Sequence, residues 1–361
     1  MRISVPLART SISGGTRIAL QYAEELATLG HQVTLVFPND TQFDYFSLPT
    51  NVSTKSVKVS PIARRLLGGF ADLIAIGEAL PFCDVLLCNC WQMVFPAMVS
   101  IALRRGPRIV HLIQHLDSVI IAEKPWFYRW RNQILYRFIY RLPFTKKIVV
   151  SQWLKEALAR EFGQTSVCIP NGINIEAFTG NHLPQWEPPS DTFDILCTGR
   201  LARWKGYQDV LEAVSMLATS NKRVRLIVAS RENITIPSNI QGILVKPSND
   251  IELGYLYQHC SVFVMASWCE GFGLPALEAM ACGAPVVTTA CCGIDDFARD
   301  KENCLMTPPR EPAKLAEALQ KIMMDHALAL RLSQAGKQTG QAFTTERMAK
   351  ELLEAINIKD Q

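Results

Sequence analysis

The sequence lacks the features that mark several broad classes of protein. No apolar run reaches the roughly 18–20 residues of a membrane-spanning helix, because the best candidates, 73–87 and 93–103, carry charges or are too short. The first ten residues lack the long apolar core of a signal peptide and indicate a β-strand instead. The 37 basic and 33 acidic residues give a net charge of only +4, too balanced for a protein dedicated to nucleic acid. We therefore expect a cytoplasmic protein with no nucleic-acid partner.

Cysteine is plentiful, but its spacing does not suit disulfides or zinc. The chain has 11 cysteines, an odd number, and most of them lie inside apolar runs. There is no CxxC pair, and neither Cys88/Cys90 nor Cys291/Cys292 has a second pair at the spacing of a zinc site. The cysteines therefore indicate buried thiols in a reducing cytosol.

Apolar runs typical of buried strands alternate with helical patterns along most of the 361 residues. The predicted strands are 3–6, 32–37, 84–89, 108–114, 147–151, 167–170, 193–198, 224–230, 262–266 and 285–288. The predicted helices include 16–29, 152–161, 206–218, 251–259, 275–282, 311–325, 327–336 and 345–356. Apolar strands joined by helices predict an α/β fold with parallel sheets covered on both faces.

A polar segment, 179–192, interrupts this alternation with three prolines and no periodicity, which predicts a linker. We therefore expect two doubly wound domains, 1–178 and 193–344, with a last helix within 345–361 crossing back onto the first. In such sheets ligands bind beyond the carboxyl ends of the strands, so two facing sheets create a cleft.

The segment 11–17, SISGGTR, follows the first strand and opens a helix. Backbone N–H groups at such a helix start favour an anion, and Gly14 and Gly15 let the backbone approach a ligand closely. A tight turn between strand and helix explains the same residues. The sequence therefore leaves two interpretations of this segment open, a contact with phosphate and a simple tight turn.

A second segment, 198–206, presents three cations at the end of a strand. Arg200, Arg203 and Lys205 follow the strand 193–198 directly. Arginine gives forked contacts and lysine a point charge, which together suit a diphosphate. The alternative is a solvated basic loop. The position at a strand end favours the ligand-binding interpretation.

The third segment, 267–287, runs from a buried strand through a glycine-containing loop into a helix. The loop, 271–274, offers backbone donors for phosphate or sugar hydroxyls. Glu270 precedes it and Glu278 lies one turn into the helix. A carboxylate suits a pair of vicinal hydroxyls such as those of a ribose, although Glu278 also fits a glutamate favoured by the helix dipole.

The stretch EGFGLPALEAMACGAPVV, which begins at Glu270, resembles the hallmark of retaining glycosyltransferases of family 4. These enzymes have two Rossmann-like domains, the GT-B fold, and use nucleotide-diphospho-sugars. Further segments that resemble the family are GRLARWKG (199–206), IPNGIN (169–174), VSQWL (150–154) and the stretch from Gly293 to Leu305. The resemblance covers almost the entire chain.

The resemblance implies a role for each residue of these motifs. Arg200 and Lys205 would hold the donor diphosphate, Glu278 the ribose, and Glu270 would face the sugar. Backbone amides near sugar and phosphate would come from Gly271, Phe272, Gly273 and Leu274. Gly14 and Gly15 would close over the donor from the other domain. No cofactor is implied beyond the donor substrate.

The resemblance also implies that transfer needs no metal. The sequence agrees, since Asp295 and Asp296 lie within a GIDDF turn and form no clear metal motif. The family usually has a glutamate where this chain has Asp295 or Asp296. This difference affects only a peripheral contact of the site. We assign no general base.

The family often places a histidine near the sugar, and the segment 108–117 contains two candidates. His111 lies within the predicted strand, where alternation places it on the same face as Ile113, and a core histidine is the alternative interpretation for it. His115 lies past the strand end, where ligands bind, and is the predicted catalytic histidine beside Glu270, Arg200 and Lys205.

The segment 124–147 combines seven basic residues, no acidic residue and eight aromatics. Such a helix suits an anionic lipid surface, and Arg64-Arg65 and Arg104-Arg105 could extend it. The alternative is a packed helix with a solvated arginine face. A lipid-binding segment would place the enzyme on the cytoplasmic face of a membrane.

We therefore predict a retaining glycosyltransferase that moves a sugar from a nucleotide-diphospho-sugar to a glycan or lipid-linked acceptor, in cell-surface polysaccharide or glycolipid assembly. An NAD-dependent oxidoreductase would need GxGxxG with a following acidic residue, which the chain lacks. A sugar-nucleotide epimerase of the same fold is the alternative. An inactive homologue is disfavoured by the intact motif residues. Residues around 229–231 and 245–247 should contact the base but do not identify it.

Overall fold

The structure, a computed structural model, divides the chain into two units. It describes residues 1–7, 14–41, 43, 45–103, 106–116, 125–178, 191–220 and 223–357. The first unit comprises Met1–Gly172 and Thr345–Gln361, and the second comprises Ile173–Thr344. Each unit is built on a parallel sheet with helices. The predicted α/β fold class is therefore confirmed.

The first unit contains a parallel sheet whose described strands have the order β3-β2-β1-β4-β5-β6-β7. The strands are β1 (Arg2–Pro6), β2 (Gln32–Pro38), β3 (Ser53–Val57), β4 (Val85–Cys88), β5 (Arg108–Ile113), β6 (Thr145–Val149) and β7 (Val167–Cys168). The helices are α1 (Gly14–Thr28), α2 (Pro61–Leu67), α3 (Phe70–Ala79), α4 (Trp91–Leu103), α5 (Trp126–Tyr140), α6 (Gln152–Phe162) and α12 (Thr345–Asn357).

Local signals explain where these helices begin and end. Ser151 caps α6, since its side chain accepts a hydrogen bond from the Leu154 N–H, and Gly163 ends the helix in the left-handed conformation. The central strands are buried along their length, as β4 illustrates, because helices cover both faces of a doubly wound sheet.

The second unit contains a parallel sheet whose described strands have the order β10-β9-β8-β11-β12-β13. The strands are β8 (Phe193–Thr198), β9 (Val224–Ala229), β10 (Gly242–Val245), β11 (Val262–Met265), β12 (Val286–Thr289) and β13 (Leu305–Thr307). The helices are α7 (Tyr207–Ser220), α8 (Asp250–His259), α9 (Leu274–Ala281), α10 (Pro312–Met324) and α11 (His326–Ala342). β8 and β11 are direct neighbours, so the loops that follow them emerge side by side.

The division of the chain differs from the predicted limit at residue 178. The segment from Ile173 to Phe178 belongs to the second unit, because Gln258 Nε2 donates to the Phe178 carbonyl at 2.8 Å and the Phe178 ring packs against Tyr257. Most of the predicted linker, residues 179–190, lies outside the described residues. None of the helices in the described ranges has the length and apolar character needed to cross a bilayer.

Candidate functional site

Two adjacent loops of the second unit carry most of the predicted site. The cationic loop, residues 199–206, follows β8, and the glutamate loop, residues 266–273, follows β11. The Trp268 N–H donates to the Trp204 carbonyl at 2.7 Å. The indole Nε1 of Trp268 also donates to Asp209 Oδ2, in the first turn of α7, at 2.7 Å. These bonds fasten the two loops into one block.

Gly206 shows how closely the two loops approach. Its φ is +66°, and a Cβ at this position would lie 1.9 Å from the Ala266 carbonyl oxygen. Both the left-handed backbone and the lack of space require glycine. The sequence indicated a loop here but not its contact with β11.

Lys205 of the cationic loop contacts Glu270 of the glutamate loop. Lys205 Nζ lies 2.7 and 2.9 Å from the two carboxylate oxygens of Glu270, and the Ser267 hydroxyl donates to Oε1 at 2.7 Å. Glu270 is only 6% exposed, and a buried carboxylate needs such partners to stay charged. Two predicted site residues are therefore in direct contact.

Arg200 is held by a carboxylate that the sequence reasoning missed. Its Nη1 donates to Glu232 Oε1 at 3.0 Å, and the Leu201 N–H donates to Oε2 at 2.6 Å. Glu232 follows β9, one residue beyond the 229–231 region predicted to contact the base. That position at the carboxyl end of a strand was the signal that could have identified it.

Glu278 lies in the second turn of α9 and is 4% exposed. The hydroxyl of the buried Tyr257 donates to Glu278 Oε2 at 3.2 Å. Glu278 therefore lies beyond the first turn, so the alternative of a first-turn glutamate favoured by the helix dipole does not describe it. Tyr257 has no sequence signal, because it belongs to the core-facing side of α8.

The glycine-containing loop enters α9 with an anchored side chain. Gly273 adopts a φ of +92° and precedes the helix. Phe272 is buried against Phe297 and Phe343, with ring centroids 5.3 and 6.0 Å apart. The side chain of Phe272 therefore anchors the loop, and only its backbone is suited to contact a ligand. The predicted donor contacts of Gly271, Phe272, Gly273 and Leu274 stay predictions.

In the first unit, the predicted glycines begin α1. Gln114 Nε2 donates to the Gly15 carbonyl at 3.2 Å. A Cβ at Gly15 would meet that side chain at 3.7 Å, an ordinary contact, so packing against the described residues of this unit does not require glycine here. Gly14 is exposed, and the preceding residues 8–13 lie outside the described residues.

The two histidines of the first unit occupy different environments. His111 lies within β5, is 1% exposed, and has its ring 5.3 Å from that of Tyr140. Burial, with a smaller contribution from Lys147, lowers the His111 pKa to about 3. His115 lies beyond the end of β5, is half-buried, and has Nδ1 3.0 Å from the Leu116 carbonyl oxygen. His111 is therefore a core residue, and the catalytic role of His115 stays a prediction.

Two family models match the chain in succession. Glycosyltransferase Family 4 matches residues 12–177, and Glycosyl transferases group 1 matches residues 179–339. Together the two matches extend over nearly the whole chain. The second match contains the cationic loop, the glutamate loop and α9.

Curated relatives match over part of their length. An uncharacterized glycosyltransferase of Methanocaldococcus jannaschii is 26% identical over 224 residues, which are 60% of this chain and 61% of that protein. A D-inositol 3-phosphate glycosyltransferase of an Arthrobacter species is 28% identical over 205 residues, 52% of this chain and 49% of that protein. The chain thus spans about half to three fifths of the length of these relatives.

Solved structures match over essentially the whole chain. A sucrose-phosphate synthase from Thermosynechococcus elongatus has a TM-score of 0.80 at 22% identity, covering 98% of both chains. The Anabaena protein HepE in complex with UDP-glucose has a TM-score of 0.74 at 18% identity, covering 99% of both. WaaG, a glycosyltransferase involved in lipopolysaccharide biosynthesis, has a TM-score of 0.74 at 16% identity, covering 99% of this chain and 100% of its own. These identities establish the fold alone, which is the predicted GT-B fold.

Proposed function

This chain belongs to the group 1 glycosyltransferases of the family 4 type, and on that premise we propose that it transfers a sugar from a nucleotide-diphospho-sugar to a glycan or lipid-linked acceptor. The observation that carries the proposal is the contact of Lys205 with Glu270 where β8 and β11 end. It joins the predicted diphosphate-binding cation to the carboxylate predicted to face the sugar. Transfer would retain the anomeric configuration and need no metal ion.

The proposed mechanism is largely electrostatic. As the sugar leaves the donor, negative charge develops on the departing diphosphate, and fixed cations stabilise it. Lys205 and Arg200 would supply this charge, and both are already oriented by carboxylates, which lowers the cost of ordering them. Backbone amides of the glycine-containing loop would add to it. Glu278 would bind the ribose with its carboxylate held by Tyr257.

UDP-glucose is the first donor to test, because a solved structure of the same fold contains it. We expect slow hydrolysis to UDP and glucose without an acceptor, and faster release of UDP with one. The alternative, a sugar-nucleotide epimerase, would change the sugar and leave its bond to the diphosphate intact. Chromatography of the products therefore distinguishes the two reactions.

Replacing Lys205 tests the proposed diphosphate contact. Lys205→Ala should lower turnover about 100-fold or more, as loss of one group that stabilises transition-state charge typically does. Release of UDP from UDP-glucose measures it. Lys314→Ala is the matched control, since Lys314 pairs with Glu317 on an exposed surface of the same unit. Unchanged turnover in a folded Lys205→Ala protein would contradict the assignment.

We also propose that residues 124–147 bind an anionic membrane surface, on the cytoplasmic side where polysaccharide or glycolipid would be assembled. One face of α5, with Tyr136 and Ile139, is buried, as a packed helix requires. The opposite face leaves large apolar side chains exposed, among them Trp126 at 77% and Trp130 at 59%. Exposed arginines of the same helix are Arg129, Arg131 and Arg137. Exposed aromatics beside cations support a lipid surface better than a merely solvated face.

Vesicle sedimentation tests this surface. The wild-type protein should sediment with vesicles containing phosphatidylserine at low salt, and binding should weaken as salt increases. Trp126→Ala/Trp130→Ala should weaken it further by removing apolar insertion. Met324→Ala/Leu330→Ala, which removes exposed apolar side chains from the second unit, is the matched control. Equal sedimentation of both double variants would contradict the proposal.

A further inference from the structure

Two half-buried cysteines, one within the glutamate loop and one beside it, lie in segments that follow neighbouring strands. Cys269 directly precedes Glu270, and Cys292 lies in the short helical turn after β12. β11 and β12 pair in parallel, so the segments that follow them leave the same edge of the sheet. Thr289 Oγ1 donates to the Ser267 carbonyl, and the Gly293 N–H donates to the Glu270 carbonyl at 3.0 Å. Bonds on either side therefore bring the segments that carry Cys269 and Cys292 together, and each thiol shifts the pKa of the other.

The two thiols are not equivalent. The hydrogen bond that Cys269 donates stabilises a thiolate at Cys292 and lowers the pKa of Cys292. The same bond, with burial, raises the pKa of Cys269. Cys292 also has a φ of +51°, a left-handed conformation that is uncommon for any residue except glycine. A thiol with lowered pKa and partial exposure is the kind that reacts.

The neighbouring Cys291 differs from this pair. It is only 1% exposed, and burial raises its pKa. Burial likewise raises the pKa of Cys197 and Cys260, which lie in the core of the second unit. Cys90 and Cys168, in the first unit, are half-buried like the pair. Exposure alone therefore does not distinguish Cys292, whereas its position beside the glutamate loop does, since the next residue, Gly293, donates its N–H to the Glu270 carbonyl.

We propose that Cys269 and Cys292 form a redox-sensitive modification site whose oxidation by a peroxide disables the adjacent site. The Cys292 thiolate attacks one peroxide oxygen, an S–O bond forms, the O–O bond breaks, and hydroxide leaves. The Cys269 sulfur then attacks the resulting sulfenic acid, an S–S bond forms, the S–O bond breaks, and water leaves. Two thiols and one hydrogen peroxide thus give one disulfide and two waters, and an external thiol reverses the change.

The disulfide would move the glutamate loop. It brings the two sulfurs to about 2.05 Å, closer than hydrogen-bonded thiols. The backbone beside Glu270 would have to move. This movement would disturb the Glu270 carboxylate, which Lys205 and Ser267 hold in one geometry. This loss of activity rests on the proposed function, whereas formation of the disulfide does not.

Peptide mapping of the full chain tests the modification itself. After treatment with an equimolar amount of hydrogen peroxide, mass spectrometry should find one cross-linked peptide pair containing Cys269 and Cys292, and a dithiol should remove it. Cys269→Ser should instead leave a sulfenic acid at Cys292 that dimedone traps. Cys90→Ser, the matched control, should form the cross-link as the wild type does. Oxidation spread evenly over Cys90, Cys168 and Cys292, or a pair that includes Cys291, would overturn the proposal.

Turnover of UDP-glucose tests the consequence separately. The oxidised wild type should lose at least nine tenths of its turnover and regain it with the dithiol, and Cys292→Ser should keep its turnover under peroxide. A mapped disulfide with full turnover would overturn the inhibitory role. If the reduced protein turns over neither UDP-glucose nor any other nucleotide-diphospho-sugar, the proposed function fails, while the mapped disulfide still establishes the modification site.

Discussion

At the scale of the residue, position within the same segment decides what a histidine does. His111 and His115 are four residues apart, yet one lies inside β5 and the other beyond its end. Inside the sheet a charged imidazole would lose its hydration, and Lys147 on the neighbouring strand opposes a second positive charge. His111 is therefore a neutral core residue, and the sequence alternation already indicated this.

The depressed pKa of His111 predicts that stability depends on pH. The unfolded chain binds this proton near the ordinary pKa of 6.5, whereas the folded chain binds it only near about 3. The contribution of His111 to the free energy of unfolding is therefore fully present above about pH 6.5 and is lost as the pH falls towards 3. We expect His111 to contribute a decrease of up to about 1.4 kcal/mol per pH unit in the unfolding free energy across this range.

Urea unfolding of the wild type and His111→Leu at several pH values checks this contribution. The variant should show a shallower decrease between about pH 6.5 and 5. His326→Leu is the control, because it changes a histidine on the exposed start of α11. Parallel pH profiles for the wild type and His111→Leu would contradict the prediction.

The partners of the site residues were harder to predict than the residues themselves. Glu270 and Lys205 lie in motifs that contain glycines and follow a predicted strand. Such signals can be read from a single sequence. Glu232 reaches the site from the segment after β9 and Tyr257 from α8, and the sequence alone does not reveal which strands become neighbours. Tertiary contacts, not local patterns, determine such pairs.

At the scale of the element, the strands missed by the sequence reasoning lie at or beside sheet edges. β3 is largely exposed and reads STKSV, so it lacks the apolar run that identified the central strands. β10 and β13, at the two edges of the second sheet, have only four and three residues. An edge strand has one neighbour and less burial, which leaves a weaker pattern. Central strands such as β4 and β11 were predicted because both faces are covered.

The geometry of a loop was also harder to predict than its position in the sequence. The pattern predicted a turn at residues 199–206, and three cations in it. The contact of Gly206 with the Ala266 carbonyl, which positions those cations, joins residues 60 apart in the chain. In the sequence, a single glycine predicts a turn whether or not another segment packs against it. The geometry of the cationic loop therefore depends on which strand lies beside β8.

At the scale of the whole molecule, the first unit is not continuous in sequence. α12 belongs to it, although the entire second unit intervenes. Its Thr345 hydroxyl donates to Glu25 Oε1 of α1 at 2.6 Å. Arg108 Nη1 of β5 donates to the Ile356 carbonyl at 2.7 Å. Both ends of α12 are therefore held by the first unit.

Removing α12 should therefore destabilise the first unit selectively. A chain ending at Thr344 loses the buried side chains of Met348, Leu352 and Ile356, each contributing about 1.5–3 kcal/mol when fully buried. Hydrogen exchange followed by mass spectrometry should show faster exchange in β1, β2 and β5 and unchanged protection in β8 and β11. A chain ending at Asn357, which keeps α12, should exchange like the full chain. Equal loss of protection in both sheets would show that α12 supports more than the first unit, because a helix that packs within one unit has no direct way to protect the other.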